Sequence, residues 1–282
     1  MDETDQVSGG SPAQSVSFCG CGFILGYELG VIQALQELAP EMLGSAAKFF
    51  GISSGAIAAA VLACGGNQEI VDEIYSEVME KSKKSLLGPY SPRFHFLKLL
   101  EKGLRKGLTE NCHQLASGRL HIGLTRLPDG QKVVISDFCS KEEVIQAVLC
   151  SCFIPVIWGW IPPSFRGVRY IDGGFTSLHP LSDPETTIYV SPFAGENDIC
   201  PRDCPAAFYS IKVLDFSFQI SVENLCRISY GIFPPLYLDP TVVWTPGLQA
   251  YWDLERNLRE MWNQGYHDTI YYLQMKKQQL LY

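Results

Sequence analysis

The sequence predicts an α/β fold with a central, mainly parallel sheet between helices, and three segments carry that prediction. Ser15 to Cys19 is a short apolar run that enters Gly20-Cys21-Gly22-Phe23 and then a helical pattern. Ala46 to Phe50 is a second such run, entering Gly51-Ile52-Ser53-Ser54-Gly55 and an alanine-rich helix that stops at Gly65-Gly66. Val168 to Ile171 is a third, ending on Asp172-Gly173-Gly174.

In the first unit the helix shows Leu25, Leu29, Ile32, Leu35 and Leu38 at helical spacing. Glycines between a strand and a helix expose backbone N–H groups to an anion, either a phosphate or an oxyanion. A dinucleotide site would need G-x-G-x-x-G and a later acidic strand end. Here Leu25 stands three residues after Gly22, Gly26 comes one later, and no suitable acidic strand end follows. An oxyanion hole needs only one or two N–H groups and tolerates that irregularity.

The second unit reads as a nucleophile turn. Strand, sharp turn and helix give G-x-S-x-G its meaning, because the flanking glycines leave room for a serine on a strained corner. Ser53 holds the elbow position. Ser54 reads as a small helix-start residue whose N–H is an oxyanion donor, and the helix N-terminus faces the site. A serine needs a base. The five histidines, His95, His113, His121, His179 and His267, sit in no recognisable motif, and each reads better as structural or surface. His179, shortly after Asp172, is the one to test. Asp172 is the more attractive base, provided a dry pocket raises its pKa. Taken alone, Asp172-Gly173-Gly174 favours the plainer reading, an Asp-Gly turn closing a hairpin.

Taken together, Ser17-Phe18-Cys19-Gly20-Cys21-Gly22-Phe23, Gly51-Ile52-Ser53-Ser54-Gly55 and Asp172-Gly173-Gly174 resemble the patatin-like phospholipase family. The resemblance runs from about Ser15 to the C-terminal helix. Leu124 to Gly130, Cys150 to Pro155, Ile161 to Gly174 and Asp198 to Pro201 are similar to the branch of adipose triglyceride lipase and adiponutrin. Leu38 to Leu43, Gly173 to Thr176 and Cys200 to Pro205 are similar to its ω-hydroxyceramide transacylase subgroup.

The resemblance implies a three-layer α/β/α fold with a serine nucleophile elbow and a Ser–Asp dyad without histidine. Ser53 would be the nucleophile and Asp172 the base. Gly20, Cys21, Gly22 and Phe23 would form the oxyanion hole. It implies no metal and no cofactor. The substrates would be neutral lipid esters of the triacylglycerol type, with water or a lipid hydroxyl such as that of ω-hydroxyceramide as acyl acceptor. It implies peripheral attachment to a membrane or lipid-droplet surface and a protein coactivator. Three positions depart from the pattern: Leu25 or Gly26 for the third glycine, Glu28 for a His or Tyr, and Leu178 for an Asn. The irregular glycine loop supports a second reading, a non-catalytic lipid-surface protein that binds acyl chains or a lipase coactivator.

Composition narrows the classes further. The 282 residues suffice for one large core, expected over 15–282 after a polar tail at 1–14 that lacks the apolar stretch of a signal peptide. A net charge of −8 argues against nucleic acid. Ten scattered cysteines point to a reducing, cytoplasmic compartment, and Cys200-x-x-x-Cys204 without a second pair does not make a zinc site. The most apolar stretch, Val144 to Ile161, is broken by Pro155 and reads as a core helix and then a strand, with Ser140-x-x-Glu143 as a capping box. Trp158 and Trp160 suit a lipid surface or a core equally. Leu86 to Tyr90 and Phe94 to Leu100 suggest a mobile apolar flap over the site, although an ordinary amphipathic helix is the better reading. A final helix is expected over 254–274.

Overall fold

The central layer starts with three parallel neighbours, β1 (Ser15–Phe18), β2 (Phe49–Ile52) and β7 (Thr187–Val190), with β1 in the middle. β3 (Leu120–Arg126) adds parallel to β2, and β4 (Lys132–Ile135) adds antiparallel to β3. β5 (Ser164–Phe165) and β6 (Val168–Asp172) complete the seven-stranded sheet. A separate hairpin joins β8 (Ser210–Val213) to β9 (Phe216–Gln219). The helices are α1 (Leu25–Leu38), α2 (Pro40–Gly44), α3 (Ser54–Ala63), α4 (Gln68–Lys83), α5 (Phe96–Gly107), α6 (Cys112–Ala116), α7 (Lys141–Ser151), α8 (Val222–Ile232) and α9 (Leu254–Gln279). This computed structural model describes residues 14–279 except 67, 84–87, 92–93, 181–185, 204–208 and 234–253. The acidic tail, Leu86-Leu87 of the expected flap, Cys204 and the Pro- and Trp-bearing segment after Phe233 lie outside the described residues.

The mainly parallel sheet between helices is the fold class expected. β1 and β2 are buried at every position, as strands covered on both faces must be. α3 is buried almost all round, with Ala56, Ala58, Ala59 and Ala60 inaccessible to solvent. α1 crosses α9 at contact distance. A Cβ on Gly30 would lie 2.0 Å from the Trp262 carbonyl oxygen, and one on Gly265 would lie 2.0 Å from that of Tyr27. The two glycines let the backbones touch.

The pairing on β3 decides where the third motif lands. β4 covers one edge of β3 over Ile122–Thr125. β2 pairs with Leu120–Gly123 and β6 with Leu124–Arg126. A strand has two edges, so β2 and β6 share the edge opposite β4, lying end to end. Ile52 pairs with Gly123 and Asp172 pairs with Leu124. The end of β2 therefore meets the end of β6.

Ser140 caps α7, its Oγ accepting from the Glu143 N–H, while Glu143 accepts in turn from the Cys139 N–H at 2.8 Å. That displaces the expected capping box by one residue. The strand expected to follow α7 is not formed. Residues 153–163 make turns, closed by Val156 N–H to Gly159 O at 2.8 Å and Trp158 N–H to Ile154 O at 3.0 Å. Pro155, Pro162 and Pro163 lack the donors a ladder needs. Phe94 to Leu100 enters the amphipathic helix α5, with Leu100 and Leu104 buried.

We expect Gly265→Ala to destabilise by about 1–3 kcal/mol despite alanine's better helix propensity, because the methyl group would overlap backbone. Gly44→Ala, where a Cβ meets nothing within 4 Å, should be neutral or stabilise by about 0.4–1 kcal/mol. Urea denaturation of both variants checks the contrast.

Candidate active site

Ser53 stands between β2 and α3 at φ 54 and ψ −126. A side-chain-bearing residue pays about 1–3 kcal/mol for such a conformation, so its surroundings must enforce it. Gly51 and Gly55 allow the enforcement. A Cβ on Gly51 would meet the Gly55 carbonyl oxygen at 2.2 Å, and one on Gly55 would meet that of Cys19 at 2.5 Å. The Ser53 peptide groups are also clamped from the end of α7. Ser53 N–H donates to Ser151 Oγ at 2.8 Å, and Ser151 Oγ donates to the Gly123 carbonyl at 2.8 Å. Cys152 Sγ donates to the Ser53 carbonyl at 3.1 Å. Sequence reasoning did not single out these two residues. The available signal was a polar Ser151 in the last turn of an apolar helix.

The Ser53 hydroxyl donates to Asp172 Oδ2 at 2.6 Å. Asp172 Oδ1 accepts from the Gly174 N–H at 2.7 Å, and the Asp172 carbonyl accepts from Thr125 Oγ1 at 2.9 Å. Gly173 packs where a Cβ would lie 2.4 Å from the Gly123 carbonyl oxygen. Asp172 ends β6 and a 3-10 turn follows, so the hairpin turn considered for Asp172-Gly173-Gly174 is not what forms. Burial pushes the Asp172 carboxyl up to about 6, and the bonds from Ser53 and Gly174 pull it partway back. His179 is buried, its Nδ1 2.9 Å from Ser17 Oγ, and burial lowers it to about 4. No bond among the described residues joins a histidine to Ser53 or Asp172.

The glycine loop lies beside the elbow. Gly20 N–H donates to the Leu178 carbonyl at 3.2 Å, and Cys21 N–H donates to Ser54 Oγ at 3.0 Å. Those two amides therefore hold the loop in place. Gly22, at φ 59, and Phe23 open a 3-10 turn, and Ser54 opens α3. The leading amides of such turns lack internal acceptors. Leu25, at φ −49 and ψ −29, begins α1 in ordinary helical geometry, so glycine is not required there. Glu28 is wholly buried, neither carboxyl oxygen has a hydrogen-bond partner, and burial raises its pKa well above the usual range.

Ser53, Asp172 and the glycine loop line a cavity of about 540 Å³. Its other walls are almost entirely apolar. Ile74, Tyr75, Phe96 and Leu100 come from α4 and α5, and Phe193, Phe218 and Ile228 come from the side of β9 and α8. Trp158 also lines it, packed 4.7 Å from the Phe96 ring centroid.

A serine on a strand–helix elbow, set at the end of a mainly parallel sheet over an apolar cavity, defines an α/β lipid-esterase class of architecture. A family profile, patatin-like phospholipase, matches residues 16–184. This chain belongs to the patatin-like phospholipase family, whose members are lipid acyl hydrolases and acyltransferases. It is 42% identical over 275 residues to the omega-hydroxyceramide transacylase of Mus musculus, covering 97% of this chain and 43% of the relative. It is 42% identical over 260 residues to patatin-like phospholipase domain-containing protein 2 of Homo sapiens, covering 92% and 48%. It is 42% identical over 246 residues to the 1-acylglycerol-3-phosphate O-acyltransferase PNPLA3 of Homo sapiens, covering 87% and 50%. The chain thus spans about half the length of these curated relatives. Among solved structures it is similar to VipD from Legionella pneumophila, with a TM-score of 0.39, 18% identity, and 63% and 49% of the two chains covered.

Asp172 makes stability depend on pH. Its folded pKa of about 6 exceeds an unfolded value of about 3.9. Between these values the folded state binds more protons than the unfolded state, so this contribution to stability falls as pH rises through the window. Above it, the ionised carboxylate carries its full desolvation cost. Asp172→Asn should therefore stabilise the fold at pH 8 by up to about 3 kcal/mol, with the gain shrinking as pH falls from about 6 to about 4. Denaturation curves at both pH values test this. A variant that gains nothing at pH 8 contradicts the burial argument.

Proposed function

We propose that this protein is a serine acyl hydrolase and transacylase acting through a Ser53–Asp172 dyad on long-chain acyl esters of the triacylglycerol type. The observation that carries the reading is the 2.6 Å bond from the Ser53 hydroxyl to a buried carboxylate facing an apolar cavity. Ser53 Oγ attacks the ester carbonyl carbon and its proton passes to Asp172. The tetrahedral oxyanion is held by the amides of Gly22, Phe23 and Ser54, with Gly20 and Cys21 fixing the loop that presents them. The carbon–oxygen bond to the alcohol breaks, and Asp172 returns the proton to the leaving oxygen. Water or a lipid hydroxyl then attacks the acyl-enzyme carbonyl and gives its proton to Asp172. The bond from the acyl carbon to Ser53 Oγ breaks, and Asp172 returns that proton to Ser53 Oγ, which frees the acid or the new ester. A carboxylate at its ordinary pKa is a weak base for an alcohol, and a value near 6 moves it toward the working pH.

The relatives' printed activities support transfer as well as hydrolysis. We therefore extend the reading to a lipid hydroxyl acceptor, ω-hydroxyceramide being the first to test. The insolubility of such substrates supports work at a cytoplasmic membrane or lipid-droplet surface, where a protein coactivator could also dock. Among the described residues no helix is long and apolar enough to cross a membrane. The ordinary helical geometry of Leu25 supports the catalytic reading over a non-catalytic lipid binder.

A fluorophosphonate probe is the direct test. Wild type should label, Ser53→Ala should not, and Asp172→Asn should label about 10²–10⁴ times more slowly. His179→Asn should keep the dyad's reactivity. The labelling rate should rise with pH through about 6 and then level off, as the carboxyl ionises. Wild type labelling no faster than Ser53→Ala would rule out the dyad. Labelled triacylglycerol with ω-hydroxyceramide present or absent then separates transfer from hydrolysis.

A further inference from the structure

The segment after α7 is displayed in an unusual way. From Cys152 to Phe165 no residue carries a charge. Large apolar side chains in it are nevertheless solvent-exposed: Trp160 is 82% exposed, Ile161 73% and Val156 63%. Scattered exposed apolar residues are ordinary, but a contiguous uncharged run that displays three of them marks an interaction surface.

The run is also held in shape. Trp158 points inward and packs against Phe23, Phe94, Phe96 and Tyr90 at ring separations of 4.7–6.4 Å. Two backbone hydrogen bonds close the turn from Ile154 to Gly159. Val156 takes φ 72, which a β-branched residue adopts only under constraint. A rigid base thus presents Val156, Trp160 and Ile161 outward.

The location selects the occupant. Ile154, Ile157 and Trp158 of the same segment line the cavity that holds Ser53, and so does Phe175, which is 53% exposed. The exposed residues thus adjoin, along the chain, residues that form the apolar wall of the site. A protein seated there would obstruct the cavity, whereas a lipid surface seated there would supply it. The segment from Cys152 to Phe165 carries no charge of its own, and the exposed Arg169 guanidinium beside it donates to the Pro162 carbonyl at 2.6 Å, which suits a surface of zwitterionic headgroups over neutral lipid, into which an indole ring partitions readily.

We propose that Val156, Trp160 and Ile161 form the wedge by which this protein inserts into a phosphatidylcholine monolayer over neutral lipid. The identity of the occupant rests on the reading of Ser53 as an acyl-ester nucleophile. Insertion itself is measured without catalysis.

The test is flotation of the full chain with triolein emulsion particles coated with phosphatidylcholine. Wild type and Ser53→Ala should float equally well. The double variant Trp160→Ser, Ile161→Ser should partition about 10–100 times less. Its hydrolysis of a water-soluble short-chain ester should stay within about twofold of wild type, since neither residue lines the cavity. Val156→Gly, which relaxes the backbone while deleting an exposed side chain, should lose about 3–10-fold in partition with its fold intact. Raising salt from about 50 to about 500 mM should change binding by less than about twofold, because Val156, Trp160 and Ile161 carry no charge and the neighbouring Arg169 guanidinium is bonded to the Pro162 carbonyl.

The wedge is overturned if wild type does not float, or if both variants float like wild type. Loss of binding at high salt would point instead to cationic contacts by Arg169 and the lysines of α5. Conversion of a dimer to a monomer by the double variant would make a second copy of the chain the occupant. If soluble-ester hydrolysis is absent from wild type while flotation behaves as described, the catalytic reading fails and the wedge stands.

Discussion

The site depends on two strands meeting end to end along one edge of β3. β2 pairs with Leu120–Gly123 and β6 with Leu124–Arg126, while β4 holds the opposite edge. This brings the Ser53 hydroxyl to 2.6 Å from Asp172, across more than a hundred residues of chain. Both partners follow backbone that is hydrogen-bonded into the same strand, so their separation is set by sheet register rather than by loop conformation. A shift of β6 by one residue would turn the carboxylate to the other face of the sheet. Thr125, bonded to the Asp172 carbonyl at 2.9 Å, helps hold that register.

The same junction maintains backbone strain. A serine at φ 54 is unfavourable in isolation, and three separate contacts hold it there. The close approach of Gly51 to Gly55 leaves the turn no room to relax. Ser151 links the Ser53 amide to the Gly123 carbonyl, and Cys152 meets the Ser53 carbonyl. The end of α7 therefore serves as the clamp of an elbow formed by β2 and α3. The chain leaving α7 then supplies Ile154, Ile157 and Trp158 to the cavity wall and displays Trp160 to solvent.

Burial sets the electrostatics. Asp172 is buried beside an apolar cavity and retains two hydrogen-bond donors, which leaves its pKa near 6 rather than far above. Glu28 shows the other extreme. It is equally buried, its carboxyl oxygens lack a close hydrogen-bond partner, and burial raises its pKa well above the usual range, with the nearby Cys21 side chain opposing that only weakly. Two carboxyls in one core are thus separated by what donates to them. Nothing in the structure explains why a carboxylic acid occupies the Glu28 position.

Much of this protein was legible in the amino-acid order because its governing signals are local. Apolar runs, helical spacing and glycines at turns marked β1, β2, β6, α1 and α3, and G-x-S-x-G within strand–turn–helix placed Ser53 on an elbow. Asp172 was legible as a residue at a strand end, but the residues alone left open whether it closed a hairpin or faced a serine. Pairing across β3 placed it beside Ser53. Ser151 and Cys152, the crossing of Gly30 and Gly265, and the prior engagement of the Gly20 and Cys21 amides were likewise settled only by the tertiary structure. The turns at 153–163 overrode an apolar pattern that reads as a strand, because three prolines and a strained Val156 break any ladder. Propensity and periodicity act over a few residues, whereas these contacts join segments separated by tens to hundreds of residues, where only packing and strand register choose the partner.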